Sequence, residues 1–512
     1  MNGAESLVRT LSAGGVDVCF ANPGTSEMHF VDALDRTRLI RCVLGLFEGV
    51  VSGAADGYAR MAGKPAVTLL HLAPGFANAG ANLHNARKAK TPIVNLVGEH
   101  AQRHLAFDAP LTADVAGAAA PFSDFVCTAT SAATIGEDAA QALSIATGRP
   151  GKVATLIAPA DTGWDEGGIV AEPRAPAPPA TLDAAMLDRA VEALALPGTL
   201  ILAGGFTLQD TDALALLAGI EARTGATVLT PGSNGRVERG RGIANFAKVP
   251  FPVGMALELL KRFQRCILIE AVEPIAFFAY PGRPSQLLPD TCSRLSLAGP
   301  DGDGPSAVRA LADRVGAAPK VTSLPVEGER PQGPIDPERL ASALAAALPE
   351  NAIVCDESVT SGRALHVPTM AASAHSWLSI TGGSIGIGPP LAAGAAVACP
   401  DRPVVALQAD GSAMYTIQAL WTQARESLNV TTIILANRSY EILKGELFNV
   451  GSNPGRGALD MLELDRPVLD FVTMARSLGV PGIKVTTAEA LTQAIATATS
   501  EPGPFLIEAI IA

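Results

Sequence analysis

Short apolar runs alternate with longer stretches of helical periodicity from one end of the chain to the other. Apolar runs of this kind, separated by helices, are typical of parallel strands that other elements cover on both faces. We therefore predict an α/β protein made of doubly wound parallel sheets. The runs that we predict as strands are 16–20, 39–44, 66–72, 93–97, 199–203, 227–229, 266–269, 352–355, 404–409, 431–436 and 505–511.

Two proline-rich stretches interrupt this alternation. The first is 172–179, and the second runs from about 318 to 337. Since proline removes a backbone donor and disrupts helices and central strands, we predict both stretches to be linkers. They divide the chain into units at 1–171, 180–317 and 338–512, each of ordinary domain size.

The composition argues against several classes of binding partner. The net charge is −12, and Lys and Arg form no cluster that would bind nucleic-acid phosphates. No apolar run is long enough to cross a membrane, and the first residues lack the features of a signal peptide. The seven cysteines form no C-x-x-C pair, which argues against zinc sites and disulfides. We therefore expect a cytoplasmic protein that binds neither nucleic acid nor membrane.

Polar residues follow two of the predicted strands in the last unit. The strand 404–409 ends in Asp410-Gly411, a helical stretch is predicted at 416–427, and the strand 431–436 ends in Asn437. This spacing allows a right-handed crossover, which brings both side chains to the same carboxyl edge of the sheet. Carboxylate and amide oxygens are suited to Mg²⁺ with diphosphate oxygens.

This segment resembles the cofactor motif of enzymes that use thiamine diphosphate, also called thiamine pyrophosphate. The family motif is Gly-Asp-Gly and, one crossover later, Asn-Asn. Here Ala409 stands in place of the first Gly and Ala436 in place of the first Asn. The resemblance implies that Asp410, Asn437 and the backbone carbonyl of Ser439 hold Mg²⁺. It also implies that the three units are pyrimidine-binding, central and diphosphate-binding domains, in that order.

A second resemblance lies in the first unit. The run that begins at Glu48 contains Ala55-Asp56-Gly57-Tyr58-Ala59-Arg60 and is similar to the family segment Glu-Gly-x-x-x-x-x-Ala-Asp-Gly-Tyr-Ala-Arg. In this family the Glu hydrogen-bonds the aminopyrimidine ring and activates the cofactor. Members of the family build each site between two chains, so the resemblance implies a homodimer at minimum, with a homotetramer expected.

Further positions follow from the likeness to benzoylformate decarboxylases and acetolactate synthases. Segments 22–27 and 70–75 resemble substrate-site loops of the former, and Ile385 in 383–388 matches the residue that bends the cofactor. The implied cofactor contacts are Glu48, Asn78, Thr360, Gly383, Ser384, Ile385, Asp410, Gly411, Ser412, Asn437, Ser439, Tyr440, Glu441 and Ile442. The implied substrate contacts are Thr25, Ser26, His71, Pro110, Leu111, Ile442 and Leu443.

Each motif also has a purely structural interpretation. Asp-Gly is a common turn, a Glu at a helix start complements the helix dipole, and a His at a strand end is often structural. The glycines at 382–388 also fit a dinucleotide loop, but Asp401 lies in a turn rather than at a strand end. The matching neighbours of each motif favour the catalytic interpretation.

The resemblance implies decarboxylation of a 2-oxo acid, followed by protonation of the enamine or its transfer to a second carbonyl. Glu48 and His71 are the expected catalytic residues, and a small or medium apolar substrate is expected. Ala279 occupies the place of a second His of benzoylformate decarboxylases, so acetolactate synthesis proper remains an alternative. So does a scaffold that binds the cofactor without turnover, which the changes at Ala409 and Ala436 motivate. Segment 180–317 shows no clear FAD signature, and we do not expect a flavin.

Overall fold

The strands of the chain form three separate sheets. The structure, a computed structural model, describes residues 1–321 and 331–512. Part of the second predicted linker, 322–330, therefore lies outside the described residues. Helices cover the sheets, and the strands are parallel with one exception, which confirms the predicted α/β class of doubly wound parallel sheets. Across the described ranges, no helix is both long and apolar enough to traverse a membrane.

The first sheet and its helices come from residues 3–164. In chain order the elements are α1 (Gly3–Ala13), β1 (Val18–Asn22), α2 (Met28–Thr37), β2 (Arg41–Leu44), α3 (Glu48–Ala62), β3 (Ala66–Leu70), α4 (Leu72–Ala89), β4 (Ile93–Glu99), α5 (Val115–Ala119), β5 (Phe125–Thr128), α6 (Ile135–Ala146), β6 (Val153–Pro159) and α7 (Ala160–Trp164). The six parallel strands lie in the order β2-β1-β3-β4-β6-β5. Apolar cores fill both faces of the sheet, which is why the inner strands are continuous apolar runs.

The middle segment forms a smaller parallel sheet. Its elements are α8 (Ala184–Leu194), β7 (Thr199–Ala203), α9 (Thr211–Thr224), β8 (Thr227–Thr230), β9 (Val237–Arg239), β10 (Ala247–Lys248), α10 (Val253–Leu260), β11 (Arg265–Ile269), β12 (Ser293–Ala298) and α11 (Gly304–Val315). Five of these strands pair in the order β10-β8-β7-β11-β12. The remaining strand, β9, leaves this sheet and pairs elsewhere.

The last segment forms a sheet of seven strands in the order β17-β18-β16-β15-β13-β14-β9. The outermost strand, β9, is supplied by the middle segment and runs antiparallel to β14. The segment's own elements are α12 (Pro337–Ala347), β13 (Ala352–Glu357), β14 (His375–Ser379), α13 (Gly388–Ala398), β15 (Val404–Ala409), α14 (Asp410–Thr416), α15 (Ala419–Arg425), β16 (Val430–Ala436), α16 (Glu441–Asn449), α17 (Arg456–Asp460), α18 (Phe471–Ser477), β17 (Gly482–Val485), α19 (Ala488–Ser500) and β18 (Phe505–Ile510).

Some predicted boundaries are wrong. The strand predicted at 66–72 ends at Leu70, because Leu72 already begins α4 with a positive φ of 48°. The helix predicted at 416–427 is instead two helices, α14 and α15, and α14 begins directly at Asp410. The helix therefore starts where β15 ends, with no intervening loop.

Helix α3 of the first segment packs against α13 of the last segment with almost no side chain between them. The Cβ of an alanine at Gly57 would overlap the carbonyl oxygen of Leu391, and one at Gly394 would overlap the carbonyl oxygen of Ala54. At Gly53 a Cβ would lie 2.8 Å from Cγ of Pro390. Glycines on both helices therefore set the distance between the first and last segments.

The C-terminal half of α3 also ties all three segments together. Arg60 is buried and pairs with Asp56 through an Nε–Oδ1 hydrogen bond of 2.8 Å. Its Nη1 donates to the backbone carbonyls of Gly235, at 3.1 Å, and Ser379, at 2.8 Å. A single guanidinium thus joins the first, middle and last segments.

We predict that Gly57→Ala destabilises the protein, although alanine is the better helix former. Overpacking of a close contact costs about 1–3 kcal/mol, which exceeds the propensity gain. Thermal unfolding measures the effect. Gly445→Ala in α16 is the matched control, because a Cβ there meets no atom within 4 Å. Equal midpoints for Gly57→Ala and the native chain would contradict the close contact.

Candidate active site

Glu48 is the first residue of α3 and is only 7% exposed. The side-chain amide of Asn78, on α4, donates to its Oε2 at 2.9 Å. A Cβ at Gly75 would lie 3.1 Å from its Oε1, so this glycine leaves room for the carboxylate. Among the described residues, no Lys or Arg hydrogen-bonds to it. The predicted cofactor contacts Glu48 and Asn78 are therefore adjacent, in surroundings that exclude most water.

A cavity of about 670 Å³ lies on the side of His71. His71 is close to Glu48, since a Cβ at Gly75 would lie 3.3 Å from the Cβ of His71. It brings together the predicted substrate residues Thr25, Ser26, His71 and Leu111. Pro110 precedes Leu111 in the chain but does not line the cavity. Three basic residues that the sequence did not indicate, His100, Arg103 and His104, also line it, together with Leu72, Ala101, Phe107, Ala160 and Trp164. The cavity is thus less apolar than predicted, and Arg103 gives it a cationic side chain.

His71 lies in this cavity and pairs with Glu27, a residue to which the sequence assigned no role. Glu27 is completely buried, and its Oε2 lies 2.8 Å from His71 Nδ1. The same carboxylate accepts from the backbone N–H of Gly24 at 2.8 Å and from Ser26 Oγ at 2.6 Å. Because Nδ1 faces a carboxylate, it is the ring nitrogen that carries a proton and donates to Glu27.

The predicted metal ligands lie at the carboxyl edge of the last sheet. Strands β15 and β16 are parallel neighbours, so Asp410 and Asn437 follow strand ends that lie side by side. Asp410 is 3% exposed and accepts from the backbone N–H groups of Arg438, at 2.6 Å, and Gly411, at 2.8 Å. Asn437 Oδ1 accepts from the N–H of Ser439 at 3.0 Å. Burial raises the pKa of the Asp410 carboxyl above its ordinary value, against the effect of these N–H groups.

The chemistry of these groups fits a divalent metal that shares its ligands with a diphosphate. Asp410 is a buried carboxylate that no cationic side chain among the described residues pairs with. Nowhere in residues 1–321 and 331–512 do three His, Cys, Asp or Glu side chains gather as metal ligands. A metal at this edge would therefore depend on one carboxylate, the Asn437 amide oxygen, a backbone carbonyl and oxygens from outside the protein. Mg²⁺ accepts such a set.

The glycine-rich loop 381–388 is held from two sides. Asn85 of α4 accepts from the N–H groups of Gly382, at 3.0 Å, and Ser384, at 3.2 Å, and donates to the Ser384 carbonyl at 2.7 Å. On the other side, Glu357 accepts from three backbone N–H groups at 2.6–2.7 Å, those of Gly386, Ile387 and Gly388. Ile385 lies between the two sets of bonds. Hydrogen bonds on both sides of Ile385 therefore fix the backbone at this position.

Glu357 was not predicted as a site residue. It is 1% exposed, and burial raises the pKa of its carboxyl, while the N–H groups that it binds oppose this shift. One of its three donors is the backbone N–H of Gly388, the first residue of α13, where the helix dipole favours a negative charge. The sequence did offer a signal, since Asp356-Glu357 directly follows a predicted apolar strand.

The other predicted cofactor positions surround the same edge. Gly411 has to be glycine, because a Cβ there would overlap the ring of Tyr440. Ser412 Oγ donates to the carbonyl of Ala409 at 3.2 Å. Glu441 begins α16, directly after Tyr440, and Gly383 has a positive φ of 76°. Thr360 precedes a short helical turn, Ser361–Ala364, that follows β13.

Within one chain the predicted substrate residues fall into two groups. Ile442 lines a cavity of about 220 Å³ with Phe251, Tyr280 and Glu446, and Leu443 beside it is exposed. That cavity and the one around His71 share no residue. One chain therefore does not bring Ile442 or Leu443 to the cavity that holds Thr25, Ser26 and His71.

The chain is similar to known proteins over its whole length. Residues 1–117 match the family model described as thiamine pyrophosphate enzyme, N-terminal TPP binding domain, and residues 361–509 match the corresponding C-terminal TPP binding domain. A Mycobacterium tuberculosis protein with the provisional name acetolactate synthase large subunit IlvX is 47% identical over 100% of this chain and 99% of its own length. Benzoylformate decarboxylase of Pseudomonas aeruginosa is 28% identical over 96% of each chain.

A solved structure has the same fold throughout. It is the thiamine diphosphate-dependent 4-hydroxybenzoylformate decarboxylase of Rhodococcus jostii RHA1, with a TM-score of 0.85 and 26% identity. The match covers 100% of this chain and 99% of the other. The likeness therefore includes all three sheets and the edges at which the candidate residues lie.

We predict that Glu27→Gln changes the tautomer of His71 and leaves the protein folded. Gln keeps the size of the side chain but removes the charge that fixes the proton on Nδ1, so His71 should populate both tautomers. The ¹⁵N chemical shifts of the His71 imidazole measure this directly. Glu5→Gln, which breaks an exposed pair with Arg9 on α1, is the control. An unchanged His71 spectrum in Glu27→Gln would rule out the positioning role.

Proposed function

Because the chain belongs to the thiamine pyrophosphate enzyme family, we propose that it uses thiamine diphosphate and Mg²⁺ to decarboxylate a 2-oxo acid. The product is then released as an aldehyde or joined to a second carbonyl compound. One observation carries the proposal: among the described residues, only the Asn78 side chain hydrogen-bonds the buried carboxylate of Glu48. Beside it, His71 lines a cavity and its ring contacts the buried carboxylate of Glu27. The names of the relatives, a decarboxylase and an acetolactate synthase, support both outcomes.

In the proposed reaction the bound cofactor supplies the electron sink for loss of CO₂. Glu48 holds a proton at the aminopyrimidine ring of the cofactor. A carboxylate does this best where water is excluded and no cation competes for it, which are the surroundings that Glu48 has. Ile385, in the loop held by Asn85 and Glu357, would support the bound cofactor.

We assign the diphosphate end to the carboxyl edge of the last sheet. Asp410, Asn437 and the Ser439 carbonyl would hold Mg²⁺, and oxygens of the diphosphate would complete its ligands. The substitutions at Ala409 and Ala436 leave this arrangement intact. Ala409 has extended dihedrals that any residue adopts, and Ala436 is buried in β16. The cofactor-binding scaffold without turnover is therefore the less favoured candidate.

His71 is the proposed proton carrier during turnover. Its Nδ1 is engaged by Glu27, and the ring is about one-fifth exposed at the cavity. Nε2 can therefore exchange a proton with a substrate. Ala279, in place of a second His, is exposed on the middle segment. Protonation thus rests on one His, which favours carboligation as the second candidate, in line with the 47% identical relative named as an acetolactate synthase.

We further propose that each site forms between two chains of a homodimer, and that dimers pair into tetramers. The supporting observation is that the cavity of His71 and the cavity of Ile442 do not meet within one chain. A small or medium 2-oxo acid then lies between His71 of one chain and Ile442 of its partner. Arg103 and the neighbouring His side chains favour its carboxylate. The seven free cysteines support a cytoplasmic location.

The first experiment is incubation of the protein with thiamine diphosphate, Mg²⁺ and a panel of 2-oxo acids, with products identified by mass spectrometry. We expect CO₂ with either an aldehyde or a 2-hydroxy ketone or acetolactate product. Glu48→Gln should lower turnover by at least about 10²-fold, because it removes a proton-transfer group, and should leave diphosphate binding intact. Full activity of that variant would refute the proposed role of Glu48.

One control variant separates an effect on the chemistry from an effect on folding. Glu166→Gln removes an exposed carboxylate that pairs with the N-terminal amine, and it should retain full activity. Saturable cofactor binding without turnover of any donor would favour the scaffold instead. Aldehyde alone would identify a decarboxylase, and acetolactate would identify the carboligase.

The two-chain site predicts complementation between inactive variants. Chains with Glu48→Gln and chains with Asp410→Asn are each expected to be inactive. Co-expressed at equal levels, they form mixed dimers in which one site carries both changes and the other carries neither. Activity should therefore return to about a quarter of the native value. If each site lay within one chain, the mixture would stay as inactive as its parts.

A further inference from the structure

Arg239 is a buried cation that forms no ion pair with a carboxylate of the described residues. It ends β9, is 5% exposed, and lies over the ring of Trp377 with 5.0 Å between Cζ and the ring centroid. Its Nη1 meets His366 Nδ1 at 3.1 Å, and its Nη2 donates to the His366 carbonyl. Its Nε has no hydrogen-bond partner among the described residues. Asp356 attracts it through space, without a hydrogen bond.

A small cavity lies against this guanidinium, between the middle and last segments. Its volume is about 40 Å³, and Arg239, Lys248 and His366 line it. The scale for a single water is about 10–15 Å³, so the space holds a few waters or one small ion. No predicted cofactor or substrate residue lines it.

The charges around the cavity leave it positive. Glu238 also lines it, but its carboxylate is occupied by Arg236 Nε at 2.7 Å and by Ser376 Oγ at 2.8 Å. Lys248 forms no ion pair with any described residue, and solvent reaches it. Two cations, Arg239 and Lys248, therefore face one distant carboxylate, that of Asp356.

His366 adds no charge to this group. Burial and the nearby Arg239 lower the pKa of His366 to about 3, so the ring is neutral at physiological pH. The hydrogen bonds agree, since Nδ1 accepts from Arg239 while Nε2 donates to the carbonyl of Phe246 at 3.2 Å. The same lowering, to about 3, holds for His375 nearby. The buried positive charge therefore belongs to Arg239 and is not spread over its neighbours.

We propose that this cavity binds a small oxyanion, of the size and charge of phosphate or sulfate, between the middle and last segments. The Arg239 guanidinium and the Lys248 ammonium, which both line the cavity, are its two donors. An unpaired buried charge is costly, and an anion that accepts hydrogen bonds from both cations removes that cost. The bound ion would join β9 and β10 of the middle segment to the turn that contains His366.

Isothermal titration of the holoenzyme with potassium phosphate tests the proposal. Saturating thiamine diphosphate and Mg²⁺ keep phosphate out of the cofactor site, and potassium chloride at equal ionic strength is the reference. We expect saturable binding of one phosphate per chain, and a rise in the thermal midpoint that chloride does not produce. The absence of saturable binding would mean that the cavity holds water only, which overturns the proposal.

Substitutions at the cavity test whether phosphate binds there. Lys248→Met should weaken phosphate about tenfold, the loss of one charge-assisted hydrogen bond. Arg239→Met should abolish binding, and if that buried change prevents folding, Lys248→Met still decides the matter. Arg241→Met, an exposed arginine outside the cavity, is the matched control and should bind as the native chain does. Equal affinity in Lys248→Met and the native chain would show that phosphate binds elsewhere.

Discussion

The backbone contact between α3 and α13 is the constraint on which the rest of the structure depends. Glycines replace side chains along this contact, so the two helices approach until carbonyl oxygens meet Cα atoms. Near its C-terminus α3 carries Arg60, whose guanidinium reaches the middle and last segments. Its first residue is Glu48. The position of the carboxylate is thus determined by a helix that cannot slide or tilt without breaking contacts with every part of the chain.

Within the described part of the chain, no Lys or Arg side chain hydrogen-bonds the buried carboxyl groups of the candidate site. Glu48, Glu357 and Asp410 are all buried, and each is held by amide or backbone N–H groups rather than by Lys or Arg. Glu27 differs only in having His71 as its partner. Fixed dipoles of this kind stabilise a carboxylate and leave its charge available for a metal, a ring nitrogen or an imidazole. The helices and strand ends that carry the dipoles therefore also determine where chemistry is possible.

The sequence predicted β3, β4, β15 and β16, which are buried on both faces. It missed β12 and β17, which are half exposed and lack a continuous apolar run. It also missed β5, β9 and β10, the almost wholly buried β14, and β6, which is buried along its whole length. The motifs located Glu48 and Asp410, since their neighbours along the chain identify them. Glu27 and Glu357 were missed, because their partners are backbone N–H groups and a His 44 positions away. Contacts of that kind exist only after folding. The unit boundaries at 171 and 338 stay predictions.

The position of β9 limits where the chain can be divided into fragments. It belongs to the middle segment by sequence but forms the outer edge of the last sheet, antiparallel to β14. Without it, β14 would present a row of unpaired backbone donors and acceptors beside Trp377, and exposed edges of this kind recruit strands from other molecules. A fragment cut at the second linker would therefore be prone to aggregation. The middle and last units, which the linkers separate in the sequence, therefore share one sheet at this edge.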